Sequence, residues 1–246
     1  AARLQGKPVV LWGQGLGPLR RRRSRTLVRA LLPLLTAVRW RDPESAALAA
    51  GLGRTDGHAA DPVWAMPAQQ WRGRGGPIVV CLRPTPLLVG AAWSPYLEAL
   101  AELAEEADRE VIWLPFHQDQ DTGLLDQLDA AGLVPAALKL RNRQVVALTP
   151  REAQAVFATA GLVIAMRLHG LILAAVSGAP AAALSYDPKV AAAAAELGCP
   201  CQPLDQPVAA AQLLQSWRIQ LDQPASSAVL SGLRQQAGSQ AAVLSV

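Results

Sequence analysis

The chain has 246 residues, 51% of them hydrophobic, and carries 23 Lys+Arg against 19 Asp+Glu, a formal charge of +4. That balance excludes disordered and fibrous classes, and the length suits one large domain or two halves of an α/β enzyme. A surplus of four charges says little about partners. Three cysteines, Cys81, Cys199 and Cys201, are too few and wrongly spaced for a disulfide framework or a zinc knuckle, which fits a reducing cytoplasm. No signal peptide is visible, and the uncharged stretch from Leu168 to Tyr186 is broken by His169, Gly170, Gly178 and Pro180, unlike a membrane span.

The chain has no initiator Met, and Pro8-Val9-Val10-Leu11-Trp12 already reads as a buried strand, as if the sequence starts inside a domain. Gly13-Gln14-Gly15-Leu16-Gly17-Pro18 follows, a loop equally suited to cradling a phosphate and to making a tight turn. A helix is expected from Ser24 to about Ala37, kinked or split by Pro33. The run Arg20-Arg21-Arg22-Arg23, with Arg25 beyond it, reads as a solvated face, with contact to an anionic membrane surface as the functional alternative. No aromatics interleave with it, which argues against nucleic acid. Val38 to Arg41 is a short strand, and Asp42-Pro43 caps and opens a helix ending near Gly51. The Gly-, Pro- and Ala-rich region from Arg54 to Gly76 reads as a linker, with the domain boundary near 70–76.

From Pro77 strands and helices alternate. Strands are expected at Ile78–Leu82, Val111–Leu114, weakly at Ala137–Leu140, and at Leu162–Met166 and Ala181–Ser185. Between them lie helices at Ser94–Asp108, near Thr122–Ala131, from Thr149-Pro150-Arg151-Glu152 with its capping box, at Leu168–Ser177 and at Pro188–Leu197. Near-continuous apolar strands separated by helices imply a doubly wound parallel sheet over residues 77–205. Two terminal helices, Pro207–Gln220 and Ser226 to about Ala242, complete the chain within 206–246.

Ligands of such sheets bind beyond the carboxyl ends of the strands. Four strands deliver Arg83, His117, Arg167 with His169, and Lys189 to that rim. Arg167, Leu168 and His169 also open a helix, whose backbone N–H groups attract anions. A charged pair interrupting the most apolar part of the chain is costly without work or a partner. The rim therefore suits a ligand with two anionic groups, which Arg can grip bidentately. Cys81, inside a strand, is expected to be inert, and Trp93 and Tyr96 to pack within a helix rather than stack on a sugar.

Six blocks carry a more specific likeness: Leu11-Trp12-Gly13-Gln14-Gly15-Leu16-Gly17-Pro18, Arg41-Asp42-Pro43-Glu44-Ser45, Cys81-Leu82-Arg83-Pro84, Pro115-Phe116-His117-Gln118-Asp119-Gln120-Asp121, Arg167-Leu168-His169-Gly170-Leu171-Ile172 and Ser185-Tyr186-Asp187-Pro188-Lys189-Val190. In order and spacing, from about Lys7 to Leu204, they resemble the polysaccharide pyruvyl transferase family, particularly its CsaB-like branch. The resemblance implies two Rossmann-like halves in a glycosyltransferase-B-like arrangement, the N-terminal half truncated here, with residues 1–72 its remainder. It implies transfer of pyruvate from phosphoenolpyruvate to a sugar diol of a cell-wall or exopolysaccharide, or its lipid-linked precursor, as a ketal. Phosphoenolpyruvate is then a co-substrate, with neither metal nor resident cofactor, in a cytoplasmic protein open to peripheral contact with the inner membrane face. On this resemblance His169 is the general acid, Arg167 and His117 assist catalysis, and Arg83, Arg167, Leu168, Lys189, Gln14 and Arg41 bind substrate. The competing reading is a glycosyltransferase with a nucleotide-sugar donor.

Overall fold

The computed structural model describes residues 2–245. The chain divides into two compact units, one of residues 1–66 with 231–246 and the other of residues 67–230.

The first unit holds a two-stranded parallel sheet of β1 (Val10–Gln14) and β2 (Ala37–Trp40). Between them, α1 (Arg22–Leu31) gives way to a 3-10 turn at Leu32–Leu34, so Pro33 does split the expected helix. The run of arginines enters α1, which buries none of its own residues, although Val28 packs onto the cluster of Leu32, Val38, Trp40, Ala49 and Leu52. In α2 (Pro43–Gly51) the Asp42 carboxylate accepts from Ser45 N at 2.6 Å, the cap that Asp-Pro promised. The C-terminal segment closes this core: Gln240 is fully buried, and its Nε2 donates to the carbonyls of Trp40, Ala59 and Ala60, each at 3.0 Å.

The second unit is a six-stranded sheet with every ladder parallel, in the order β5-β4-β3-β6-β7-β8. Its elements in chain order are β3 (Ile78–Cys81), α3 (Ser94–Glu106), β4 (Val111–Trp113), α4 (Gln118–Asp121), α5 (Leu124–Ala130), α6 (Ala136–Lys139), β5 (Asn142–Gln144), α7 (Pro150–Phe157), β6 (Leu162–Ala165), α8 (Leu168–Val176), β7 (Ala181–Ser185), α9 (Pro188–Leu197), β8 (Cys201–Pro203), α10 (Ala210–Gln220) and α11 (Ser227–Gly238), the last crossing into the first unit. Strand residues are buried on both faces, as parallel sheets require. Ile78, Val80, Ile164, Ala182 and Leu184 point into one core with α3 and α10, while their odd-even neighbours face the other side. There α8 packs against α7 and α9.

One expected strand is a correction. Residues 137–139 lie in the helical turn α6 and Leu140 caps it, with Leu138 buried in the core beneath α3, and the strand lies further on, at Asn142–Gln144. The apolar Ala-Ala-Leu run serves a helix packed on α3, whereas an edge strand bonded only to β4 can be polar and half exposed. The short strand β8 had no counterpart in the sequence reading.

Candidate active site

In the order β5-β4-β3-β6-β7-β8 the connections reverse direction between β3 and β6, which makes the crevice beyond their carboxyl ends the switch point of the sheet. Cys81 pairs with Ala165 across these strands, so Arg83 and Arg167, two residues further on, emerge at matching heights on adjacent chains. Each arginine then reaches over the other's strand.

From β6, Arg167 crosses toward the segment after β4. Its Nε donates to Asp121 Oδ2 at 3.1 Å, and its Nη2 donates to Asp121 Oδ1 at 2.5 Å and to Gln120 Oε1 at 3.0 Å. The Asp121 side chain is wholly buried, and its Oδ2 also accepts from the backbone N–H groups of Phe116 and His117 at 3.1 and 2.8 Å. From β3, Arg83 crosses the other way. Its Nη1 donates to the Tyr186 hydroxyl at 3.0 Å, its Nε to the Pro84 carbonyl at 3.2 Å, and its guanidinium carbon lies 4.7 Å from the Tyr186 ring centroid.

These contacts correct one expectation. Arg167 does not offer a two-pronged grip to a ligand, because Nε and Nη2 are engaged by Asp121; Nη1 alone makes no hydrogen bond among the described residues. The cost of burying its charge is met by a buried carboxylate. On Arg83 it is Nη2 that makes no such bond.

The remaining rim residues are positioned by helix starts. Leu168 is half-buried and His169 exposed in the first turn of α8, whose N-terminus carries no side-chain cap. His117 is exposed at the head of α4. Lys189 lies in the first turn of α9, where the Asp187 carboxylate accepts from its backbone N–H at 2.9 Å. Beneath them, burial pushes the Cys81 thiol far above its usual range, with the Asp121 charge a smaller contribution, so it stays an inert thiol. Trp93 and Tyr96 are buried edge to face with centroids 6.5 Å apart, so both are core residues.

Gln14 and Arg41 belong to the first unit. Arg41 Nη1 donates to Asp61 Oδ2 at 3.2 Å, and its Nε lies 3.8 Å from Asp42 Oδ2. A Cβ on Gly15 would stand 2.7 Å from that Nε, and Leu16 N–H donates to Ser45 Oγ at 2.7 Å, so Arg41 and Ser45 back the glycine loop. Exposed Gln14 returns its side-chain amide to the Trp12 carbonyl at 3.3 Å.

Asp121 and Tyr186 lie inside the quoted sequence blocks yet had no assigned role. Their only sequence signal is an acid and an aromatic placed just after strands otherwise followed by basic residues.

A model of the family described as polysaccharide pyruvyl transferase matches residues 1–188. The chain belongs to the polysaccharide pyruvyl transferase family. Comparison with curated proteins gave no match. Among solved structures, a Listeria monocytogenes protein assigned as a UDP-N-acetylglucosamine 2-epimerase is similar at a TM-score of 0.62 and 13% identity, over 96% of this chain and 64% of that one. The trehalose 6-phosphate synthase of Burkholderia multivorans matches at 0.57 and 13%, over 98% and 64%. HepE of Anabaena, solved with UDP and glucose, matches at 0.55 and 14%, over 98% and 69%. The chain thus spans less than two thirds of the first two of these proteins. At such identities the likeness is one of fold, the α/β architecture of glycosyltransferase-B enzymes and epimerases. This pyruvyl transferase family member has no helix among its described residues long and apolar enough to cross a membrane.

Proposed function

We propose that the protein is a CsaB-like pyruvyl transferase that moves pyruvate from phosphoenolpyruvate onto a sugar diol of a cell-wall or exopolysaccharide, or its lipid-linked precursor. Family membership supports the transferase class, and the observation that carries the donor is the pair of crossed arginines at the switch point. Each keeps one amino group, Arg83 Nη2 and Arg167 Nη1, uncommitted beside an uncapped helix start. Two such donors with the helix N-terminus suit a small ligand bearing a phosphate and a carboxylate. The Lys189 ammonium, in the first turn after β7, adds a third positive charge on this reading.

The chemistry assigned here starts with His169, which donates a proton to the methylene carbon of phosphoenolpyruvate and leaves the neighbouring carbon electrophilic. A sugar hydroxyl attacks that carbon, with His117 taking up the hydroxyl proton. Phosphate then departs with the C–O bonding pair, its charge stabilised by Arg83 and Arg167. A second hydroxyl of the same sugar adds to the resulting oxocarbenium carbon and passes its proton to His169, deprotonated in the first step, closing the ketal and restoring the acid. Cytoplasmic location and peripheral contact with the inner membrane face belong to the same proposal, because the donor is an intracellular metabolite.

The test is isothermal titration of the purified chain with phosphoenolpyruvate, beside a UDP-sugar control. Saturable phosphoenolpyruvate binding, retained in His169→Ala while that variant loses ketal formation, is expected. Binding of the UDP-sugar alone would transfer the assignment to a nucleotide-sugar glycosyltransferase.

A further inference from the structure

The carboxylate beneath the rim has no part in the chemistry above, yet it is the most heavily engaged polar group of the site. Asp121 accepts four hydrogen bonds, two from the Arg167 guanidinium and two from the backbone of Phe116 and His117. It therefore joins the segment after β4 to Arg167, the second residue after β6, across the end of β3 that lies between them. Because Nε and Nη2 are both held, the guanidinium plane is fixed and a single edge is left for a ligand. The same carboxylate fixes the turn from which His117 projects.

We propose that Asp121 is the positioning residue of this site: it orients Arg167 so that Nη1 is the edge presented, and it sets the His117 turn in the same act. The assignment of that edge to phosphoenolpyruvate rests on the function proposed above, whereas the orienting role does not. Sign separates positioning from simple electrostatics. A carboxylate acting only through its charge would repel an anionic donor, so its removal would tighten binding. A carboxylate that holds an arginine in place gives the opposite result, since the freed guanidinium must be re-ordered by the ligand.

The experiment compares wild type with Asp121→Asn and Asp121→Glu in two measurements. In the first, NMR follows hydrogen exchange of Arg167 Nε–H and of the His117 amide. Both are expected to be protected in wild type and to exchange at least about tenfold faster in Asp121→Asn, while the Val163 amide, which donates to the Pro180 carbonyl at 2.8 Å within the sheet, keeps its rate and reports an intact fold. Unchanged exchange at Arg167 in Asp121→Asn would overturn the proposal whether or not any donor binds. In the second, phosphoenolpyruvate affinity is expected to fall by about tenfold or more in Asp121→Asn despite the lost negative charge, with further replacement of Arg167 by Gln adding little. Equal or tighter binding in Asp121→Asn would overturn the positioning role. Should wild type itself bind no phosphoenolpyruvate, the donor assignment fails and the exchange data alone decide the role of Asp121. Asp121→Glu, longer by one methylene, is expected to keep fold and charge but to show the same loss, because its carboxylate cannot meet all four donors at once.

Discussion

The sharpest packing prediction concerns Gly76, at the entry to the central strand. A Cβ there would lie 2.0 Å from the Thr159 carbonyl oxygen, 2.9 Å from the Gly73 oxygen and 3.2 Å from the Thr159 carbon. All three are backbone atoms, so no side chain can swing aside. Restoring even 3.0 Å requires the chain to move by about 1 Å, against hydrogen bonds from Arg109 Nη1 to Gly76 O at 2.8 Å and from Gly161 N to Pro77 O at 2.9 Å. Arg109 is itself anchored to Asp222 at 3.0 Å. Overpacking of this kind costs about 1–3 kcal/mol, and the two strained bonds add roughly 1 kcal/mol each. The Gly76→Ala variant should thus lose about 3–5 kcal/mol. At about 2–4 °C per kcal/mol for a unit of this size, its melting temperature should fall by roughly 6–20 °C. The control is Gly170→Ala in α8, where the nearest atoms, on Cys81 and Arg167, stand at 3.4–3.6 Å, an ordinary contact. Alanine favours a helix over glycine by about 0.5–1 kcal/mol, so this variant should melt at or slightly above wild type. Thermal unfolding followed by circular dichroism tests the pair. A Gly76→Ala protein melting within about 2 °C of wild type would refute the reasoning.

Three further outcomes are expected. Gln240→Ala leaves the Ala59 and Ala60 carbonyls without their buried donor, while the Trp40 carbonyl keeps the Ala59 N–H, and should cost about 1–3 kcal/mol, read by urea titration of a tryptophan signal. Tyr186→Phe removes the hydroxyl that accepts from Arg83 but keeps the ring beneath it, so donor affinity should fall about threefold to tenfold, and further in Tyr186→Ala; equal values for both variants would assign the effect to the hydroxyl alone and refute a contribution from the ring. Burial pushes the Cys199 thiol up to about 12 from 9.0, so it stays protonated in the fold while the unfolded thiol ionises. Its contribution is intact below about pH 9 and is lost as pH climbs toward 12, with a slope of up to about 1.4 kcal/mol per pH unit; Cys199→Ala should flatten the alkaline fall in urea midpoint, and an unchanged slope would contradict the burial.

Where sequence pattern and structure agree, a local physical cause is visible. The helix at Pro188–Leu197 has the expected bounds because Asp187 caps it at one end and Gly198, at φ 67°, releases it in the left-handed conformation at the other. The strand at Ala181–Ser185 agrees because a parallel strand buried on both faces is near-continuously apolar, here Ala-Ala-Ala-Leu, with Ser185 at its end donating to the Asp187 carbonyl. The Thr149–Glu152 box likewise forms as written, with both reciprocal bonds present. Disagreement arises where tertiary context sets the outcome. Asn142–Gln144 is a strand only because β4 offers it a ladder, and nothing in Asn-Arg-Gln announces one. Cys201–Pro203 is too short to show a period, and proline is tolerated at the sheet edge it occupies. In the site, the rim could be placed from strand ends alone. The partners of its arginines could not, since Asp121 lies 46 residues from Arg167 and Tyr186 lies 103 from Arg83.

Those partners make the two arginines unequal although the sequence presents them alike. Arg83 meets a neutral phenol and a carbonyl, so its charge remains uncompensated at the mouth of the crevice. Arg167 meets a carboxylate with no exposed surface, so most of its charge is spent within the fold. Replacement by Gln should separate these roles. Arg83→Gln removes long-range attraction for an anion and should weaken phosphoenolpyruvate binding, most at low salt, with little change in melting temperature. Arg167→Gln strands a buried carboxylate, a change that costs about 3–5 kcal/mol when a buried ion pair loses one partner, and should lower the melting temperature by several degrees. Equal melting temperatures for the two variants would show that the Asp121–Arg167 pair is not the structural bridge its geometry describes.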